Sequence, residues 1–388
     1  MSSEHNANDN LVNKEFKTLF FFSHRNHSDE FNGTSVYDSE LLKMLEKEFK
    51  LVSLEPDYRS QDLNRTSNLN FNSFVSLLFR VYFKQLRWLF GFVGQEKHEY
   101  SDKIVLLVED VYSSILPFIV SKAFSIKLIY RAADFGKAYY NTLSISNKFF
   151  KFLYPPIRRI IERFIVKGAF LIICPSSRIR KDIIEKYPEL EAKATILPYI
   201  SKNASGNTNF KSDSERTRVL KVNIVLLGDY RYPPNRQAAE FVLNKLTEKL
   251  SADANRYNIL IVGPSSDLLF ESNERNIEIL GAVKDLDDVL LHAHIGLAPT
   301  TTIGGLSMKI VNYLVHGLRV IATPEASAGI IPNEQMKVVS LENFPEVLDN
   351  EIADLSDYGF SRHISSEVFE EYMSDKWKDV LIDKLRNI

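Results

Sequence analysis

The sequence predicts an α/β protein of two domains, each a parallel sheet flanked by helices, on three observations. Short apolar runs without alternation, the mark of strands buried on both faces, recur between stretches of helical periodicity. The length of 388 residues exceeds what one ordinary core organises. A Ser/Asn/Gly-rich stretch, Ser201–Glu215, interrupts the alternation near its middle. The expected layout is a disordered tail over 1–14, a first domain over 15–200 and a linker over 201–216. A second domain over 217–360 and a C-terminal helix within 361–388 complete it.

In the first half, strands are expected at Phe16–Ser23, Leu51–Leu54, Lys103–Val108, Lys127–Tyr130, Phe170–Cys174 and Thr195–Leu197. Helices are expected at Ser39–Phe49, at Ile115–Phe124 and, after Pro175-Ser176-Ser177, up to Tyr187. In the second half, strands fall at Val222–Leu227, Tyr257–Val262, Ile277–Leu280, Ile295–Pro299, Arg319–Thr323 and Lys337–Val339. The helices there are Asn235–Leu250, Leu286–His292, one opening at Ser307–Lys309 and closed by Gly317, Phe344–Leu348, and Ser365–Leu385.

Composition narrows the function. A hydrophobic content of 45% with 25% charged residues is that of a globular protein. A formal net charge of −2 gives no global case for nucleic acid, and no nucleic-acid module is recognisable. One cysteine, Cys174, leaves no intrachain disulfide and suits a reducing compartment. The N-terminal residues lack the pattern of a secretion signal, and no apolar run matches a membrane-spanning helix.

Two stretches, Phe71–Val93 and Lys148–Lys167, interleave cations with aromatic and aliphatic residues. Arg80, Lys84, Arg87 and Trp88 lie in the first, Arg158 and Arg159 in the second. Each reads either as a core helix with one solvated basic side or as an interfacial helix on an anionic membrane surface.

Several chemistries are excluded by motif. The turns Phe22–Asn26 and Leu227–Arg231 lack G-x-G-x-x-G, and neither a P-loop nor a G-x-S-x-G elbow occurs. The histidines show no metal-ligand spacing, so no metal is expected. What remains is Gly304–Gly329, a loop of small residues that opens a helix with Lys309 in its first turn, between two buried strands. Backbone N–H groups at a helix start, with a cation, suit a diphosphate. Glu109 and Asp134 each follow a strand of the first domain, where α/β sheets place their sites.

IGLAP…GLSMKIVNYLVHGLRVIATPEASAG resembles the donor-binding motif of the GT-B glycosyltransferases, two Rossmann-like domains facing across a cleft. The large retaining branch, family 4, carries two glutamates around this loop, where this chain has Gly304 and Asn312. KLIYRAAD (Lys127–Asp134) followed by SMKIVNY (Ser307–Tyr313) is more similar to glycosyltransferase family 70, founded on a β-glucuronosyltransferase. That resemblance implies inversion, with Asp134 as general base and Lys309 neutralising the leaving diphosphate. It implies donor contacts from Gly228, Tyr230, Ser307, Met308 and Asn312, with the Tyr230 ring available to stack on a base. Glu109 and Arg131 become candidates for the acceptor side.

The expected reaction moves a sugar, glucuronic acid by the family 70 resemblance, from a UDP-type nucleotide-sugar donor to a lipid-diphosphate-linked glycan. It needs no cofactor or metal and takes place in the cytoplasm at the inner face of the cell membrane. A retaining transferase or a sugar-nucleotide epimerase on the same fold, and a non-catalytic partner subunit, stand as alternatives.

Overall fold

The computed structural model describes residues 18–22, 41–46, 49–54, 104–109, 111, 114–132, 148–198, 217–250, 253–302, 306–374 and 376–386. The expected linker, the stretch Phe71–Val93 with Arg80, Lys84, Arg87 and Trp88, Asp134 and Gly304 all lie outside them.

The first sheet contains β1 (Thr18–Phe22), β2 (Lys50–Leu54), β3 (Ile104–Val108), β4 (Lys127–Arg131), β5 (Leu171–Cys174) and β6 (Ala194–Ile196). Its order is β2-β1-β3-β4-β5-β6, and every pairing is parallel. Residues 41–45 are helical, and Leu41, Leu42 and Leu45 are buried in one apolar cluster with Leu19, Phe21, Val105 and Leu107. Among the described residues, this half also holds helices α1 (Ile115–Ala123), α2 (Lys148–Gly168) and α3 (Ser177–Lys186). Ser176 caps α3 by accepting from the Ile179 N–H, which starts the helix where Pro175-Ser176 predicts it.

The second sheet contains β7 (Val222–Leu227), β8 (Tyr257–Val262), β9 (Ile277–Gly281), β10 (Ile295–Ala298), β11 (Arg319–Ala322) and β12 (Met336–Val338). Its order, β12-β11-β10-β7-β8-β9, is that of a doubly wound dinucleotide-binding sheet, again all parallel. The order reverses between β7 and β10, and the crevice beyond their carboxyl ends is where such sheets bind ligands. Around it lie α4 (Pro233–Phe241), α5 (Ser266–Leu269), α6 (Leu286–His292), α7 (Met308–Val315), α8 (Pro324–Ser327), α9 (Phe344–Tyr358), α10 (Ser366–Tyr372) and α11 (Lys376–Arg386).

The helix expected at Asn235–Leu250 starts earlier, because proline is tolerated in the first turn, and continues through a π-helical segment, Val242–Leu246. The helix expected to end at Leu348 runs ten residues further, with Leu348, Ile352 and Leu355 fully buried along one face. The single C-terminal helix is two: after α10, the Met373 and Ser374 N–H groups both bond to the Phe369 carbonyl and end the turn. Leu381 and Leu385 of α11 share a buried cluster with Leu171 and Ile173 of the first sheet and Val225 of the second. The Lys384 charge bears on the Cys174 thiol in β5, so the last helix reaches back to the first sheet. Burial nevertheless pushes that thiol up to about 12, which makes it inert packing.

Candidate active site

β7 ends at Leu227, and Gly228 begins the loop that leads to α4. A side chain at Gly228 would come within 2.9 Å of Asn235 Cγ, so the glycine lets the loop close against the helix start. Asn235 Nδ2 donates to the Asp229 carbonyl at 3.0 Å, and Arg231 grips the Asp229 carboxylate through Nε at 2.8 Å and Nη2 at 2.6 Å. The loop is fixed before any ligand arrives.

On the other side, β10 is followed by the loop to α7, whose N-cap is Ser307. The Ser307 hydroxyl makes no cap bond, and no acidic residue occupies the first turn, which leaves this helix start to a ligand. Lys309 projects from that turn, and its ammonium donates to Asn235 Oδ1 at 2.7 Å. One amide thus ties the two loops of the crevice together. Lys309 is half-buried, and the loss of water around its ammonium pushes its pKa down to about 8. A lysine whose charge is held under strain is poised to gain from an arriving anion.

Beneath the crevice, Tyr313 is fully buried. Its hydroxyl accepts from the Leu227 N–H at 2.8 Å and donates to the Leu297 carbonyl at 3.3 Å, joining β7 to β10 where the order reverses. Gly296 makes room for the ring, since a Cβ there would meet it at 2.3 Å. Gly317, at φ +68°, ends α7: its N–H bonds to the Leu314 carbonyl and that of Leu318 to the Tyr313 carbonyl. Removing the Tyr313 hydroxyl leaves the Leu227 N–H buried without a partner, which costs about 1–3 kcal/mol. Tyr313→Phe is therefore expected to lower the urea midpoint with an unchanged m-value and to loosen nucleotide binding; an unaltered midpoint would count against the bridge.

The candidate residues divide. Gly228, Ser307, Met308, Lys309 and Asn312 all belong to the two segments that frame the crevice, with Met308 and Asn312 half-buried on α7. Tyr230 is corrected: its ring is fully buried, its hydroxyl donates to the Leu226 carbonyl at 2.7 Å, and it packs edge-on to Phe270. A ring locked in the core does not stack on a nucleotide base. Glu109, just after β3, and Arg131, the last residue of β4, meet as a buried ion pair at 3.2 Å. Arg158, expected at a membrane surface, is 4% exposed on the inner face of α2, where its charge bears on the buried Glu162. Arg159, one residue along, is exposed, because a helix turns about 100° per residue.

Asn235 and Tyr313 are the residues that motif reading leaves out. Pro-Pro-Asn at a helix start after a buried strand signals the first; a lone hydroxyl at a core position of α7 signals the second. A separate cleft of about 390 Å³ lies along α4, lined by Pro234, Gln237, Phe241, Lys245 and Thr301, and includes neither Lys309 nor Asn235. Among the described residues, no three His, Cys, Asp or Glu side chains come together as a metal site.

The architecture matches solved structures along nearly the whole chain. Sucrose-phosphate synthase from Thermosynechococcus elongatus superimposes with a TM-score of 0.66 at 13% identity, over 96% of this chain and 98% of that one. WaaG, a glycosyltransferase involved in lipopolysaccharide biosynthesis, gives 0.55 at 12% identity over 93% of each chain. The fold is GT-B. HepE from Anabaena in complex with UDP gives 0.60 at 10% identity, over 96% of this GT-B chain and 100% of that one. Residues 221–357, which include the whole second sheet from β7 to β12, match the family of glycosyl transferases group 1. No curated protein matches the chain.

Proposed function

We propose that this GT-B protein is a glycosyltransferase that draws a sugar from a nucleoside-diphosphate donor held between the Gly228 loop and the start of α7. The observation that carries the reading is Lys309: a half-buried cation at an uncapped helix start, anchored by Asn235, in the crevice where strand order reverses. Such a group stabilises the negative charge that develops on a departing diphosphate. The group 1 match over this domain supports the same chemistry, and the HepE complex with UDP supports a uridine nucleotide. Ser307, Met308 and Asn312 are the further donor contacts in this reading, and Asp134 stands on the acceptor side after β4.

The group 1 match favours a retaining reaction, which the motifs alone set second to inversion. Inversion with Asp134 as base keeps one observation in its favour: α7 carries Asn312, not an acid, where the retaining branch has a glutamate. Glucuronic acid as donor sugar rests on KLIYRAAD and SMKIVNY alone. A lipid-diphosphate-linked glycan at the inner membrane face is the acceptor we propose, supported by the lipopolysaccharide role of WaaG.

The test is a screen of UDP-sugars for thermal stabilisation, then transfer to a lipid-linked glycan, with the anomeric configuration of the product read by NMR. Retention from an α-linked donor gives an α-linked product; a β-linked product assigns inversion. Conversion of the donor, with no acceptor present, into a UDP-sugar of altered configuration without net release of UDP would replace transfer by epimerisation. No binding of any nucleoside diphosphate would leave a non-catalytic GT-B subunit.

A further inference from the structure

Helix α2 has two outer stripes. Its inner face buries Arg158, Glu162, Ile165 and Val166 against the first domain. Ile157, Ile160 and Phe164, at helical spacing i, i+3, i+7, stand on the outside, with Phe164 63% and Ile160 57% exposed. Arg159, Arg163 and Lys167, at i, i+4, i+8, form a second exposed stripe directly beside the first. At its C-terminal end α2 packs closely on α1: a Cβ on Gly168 would meet the Phe118 ring at 2.4 Å. Lys122 of α1 donates to the Gly168 carbonyl at 3.0 Å, which adds a cation on the other flank of the apolar stripe. Ile119, beside Phe118, is 50% exposed, and Phe170, under the Lys127 ammonium, is also exposed.

An apolar stripe this exposed is not an ordinary solvated helix face. Within the described residues of α2 the one acid, Glu162, is turned inward. Glu189, an exposed acid of the 3-10 turn that follows α3, is engaged by Lys167 at 2.6 Å. Large apolar side chains flanked by cations match a bilayer interface, where the apolar groups enter the acyl boundary and the cations meet anionic headgroups. No helix among the described residues is long and apolar enough to cross a membrane, so the surface would lie on a leaflet.

We propose that the outer face of α2, with its junction to α1, is a docking surface for an anionic lipid leaflet. Ile157, Ile160 and Phe164 insert, and Arg159, Arg163 and Lys122 hold headgroups. This deepens the membrane-acceptor part of the proposed function, but it stands on the surface alone, and UDP binding measured on the same samples is read separately.

The experiment is cosedimentation of the full chain with vesicles of phosphatidylcholine alone and with 30% phosphatidylglycerol (about one anionic lipid in three), at low and high salt. The wild type is expected to bind the anionic vesicles at low salt and to lose most of that binding at high salt. Arg159→Glu with Arg163→Glu, and separately Ile160→Asp with Phe164→Asp, should each weaken partitioning by at least about tenfold. These positions are exposed, so melting temperature and UDP response should stay as in the wild type. Phe164→Trp should shift its emission to the blue on anionic vesicles only. Absence of vesicle binding by the wild type, or binding undiminished in both double variants, would overturn the proposal. So would a dimer that disappears in the Phe164→Asp variant, since it would assign the ridge to a second copy of the chain.

Discussion

Lys309→Met is expected to weaken UDP binding by about 10–100-fold, the loss of one charge-assisted contact to phosphate, and at the same time to make the free protein more stable. The two effects have one cause. Burial holds the Lys309 ammonium at a pKa of about 8 against an ordinary value of 10.5. Between those values the unfolded chain binds the proton and the folded one does not, so stability from this group rises with pH in that window. Below about pH 8 the charged, half-buried lysine works against the fold by roughly 1–3 kcal/mol, in part offset by Asn235. An apolar side chain of similar length removes that burden and removes the anion's partner with it. In the wild type, UDP affinity should be flat just below pH 8 and fall towards tenfold per unit above it, as the free protein loses the proton the complex needs. Calorimetric titrations from pH 7 to 9.5 check this. An affinity in Lys309→Met equal to the wild type's, or a flat wild-type profile, would sink the assignment of the diphosphate to this helix start.

Asp134→Asn is expected to lower turnover by about 10²–10⁴-fold, the usual contribution of a positioned acid or base, with UDP affinity unchanged within about twofold. Asp134 follows Ala132 by two residues, and the backbone that leads to it is held by the buried Arg131–Glu109 pair and by the Ala132 N–H bond to the Ile173 carbonyl. Asparagine keeps the size of the side chain and removes its capacity to take a proton. The expected result is a pure kcat effect, measured as initial rates at saturating donor beside the calorimetric Kd. Near-normal turnover would end the general-base role and leave the retaining reading alone, whereas a large rise in the UDP Kd would move Asp134 to the donor side.

Much of the fold was legible because a buried parallel strand has few ways to be written. IVLLV, KLIY, VNIVLL and IGLA are continuous apolar runs of strand length, and each became a strand. Lys309 was legible for a similar reason: a cation two residues past a small-residue loop, at the start of an apolar helix, is a local pattern. What the sequence left undecided is what depends on facing. Tyr230 and Asp229 are neighbours in a loop, yet the tyrosine turns into the core and the aspartate binds Arg231, a choice made by Phe270 and the Leu226 carbonyl. Arg158 and Arg159 read alike as surface cations, and the helix phase sends one in and the other out.

The chain by itself determined two runs of alternating strand and helix, the cation-bearing start of α7 and the absence of other nucleotide motifs; that Ser307 leaves this start uncapped was decided by the tertiary structure. Only the tertiary structure decided that Asn235, 74 residues before Lys309, holds its ammonium, and that Tyr313 joins β7 to β10 beneath it. Periodicity and loop chemistry act over a few residues and are written locally. Hydrogen bonds across a sheet are fixed by strand order and packing, and no short stretch of sequence contains them.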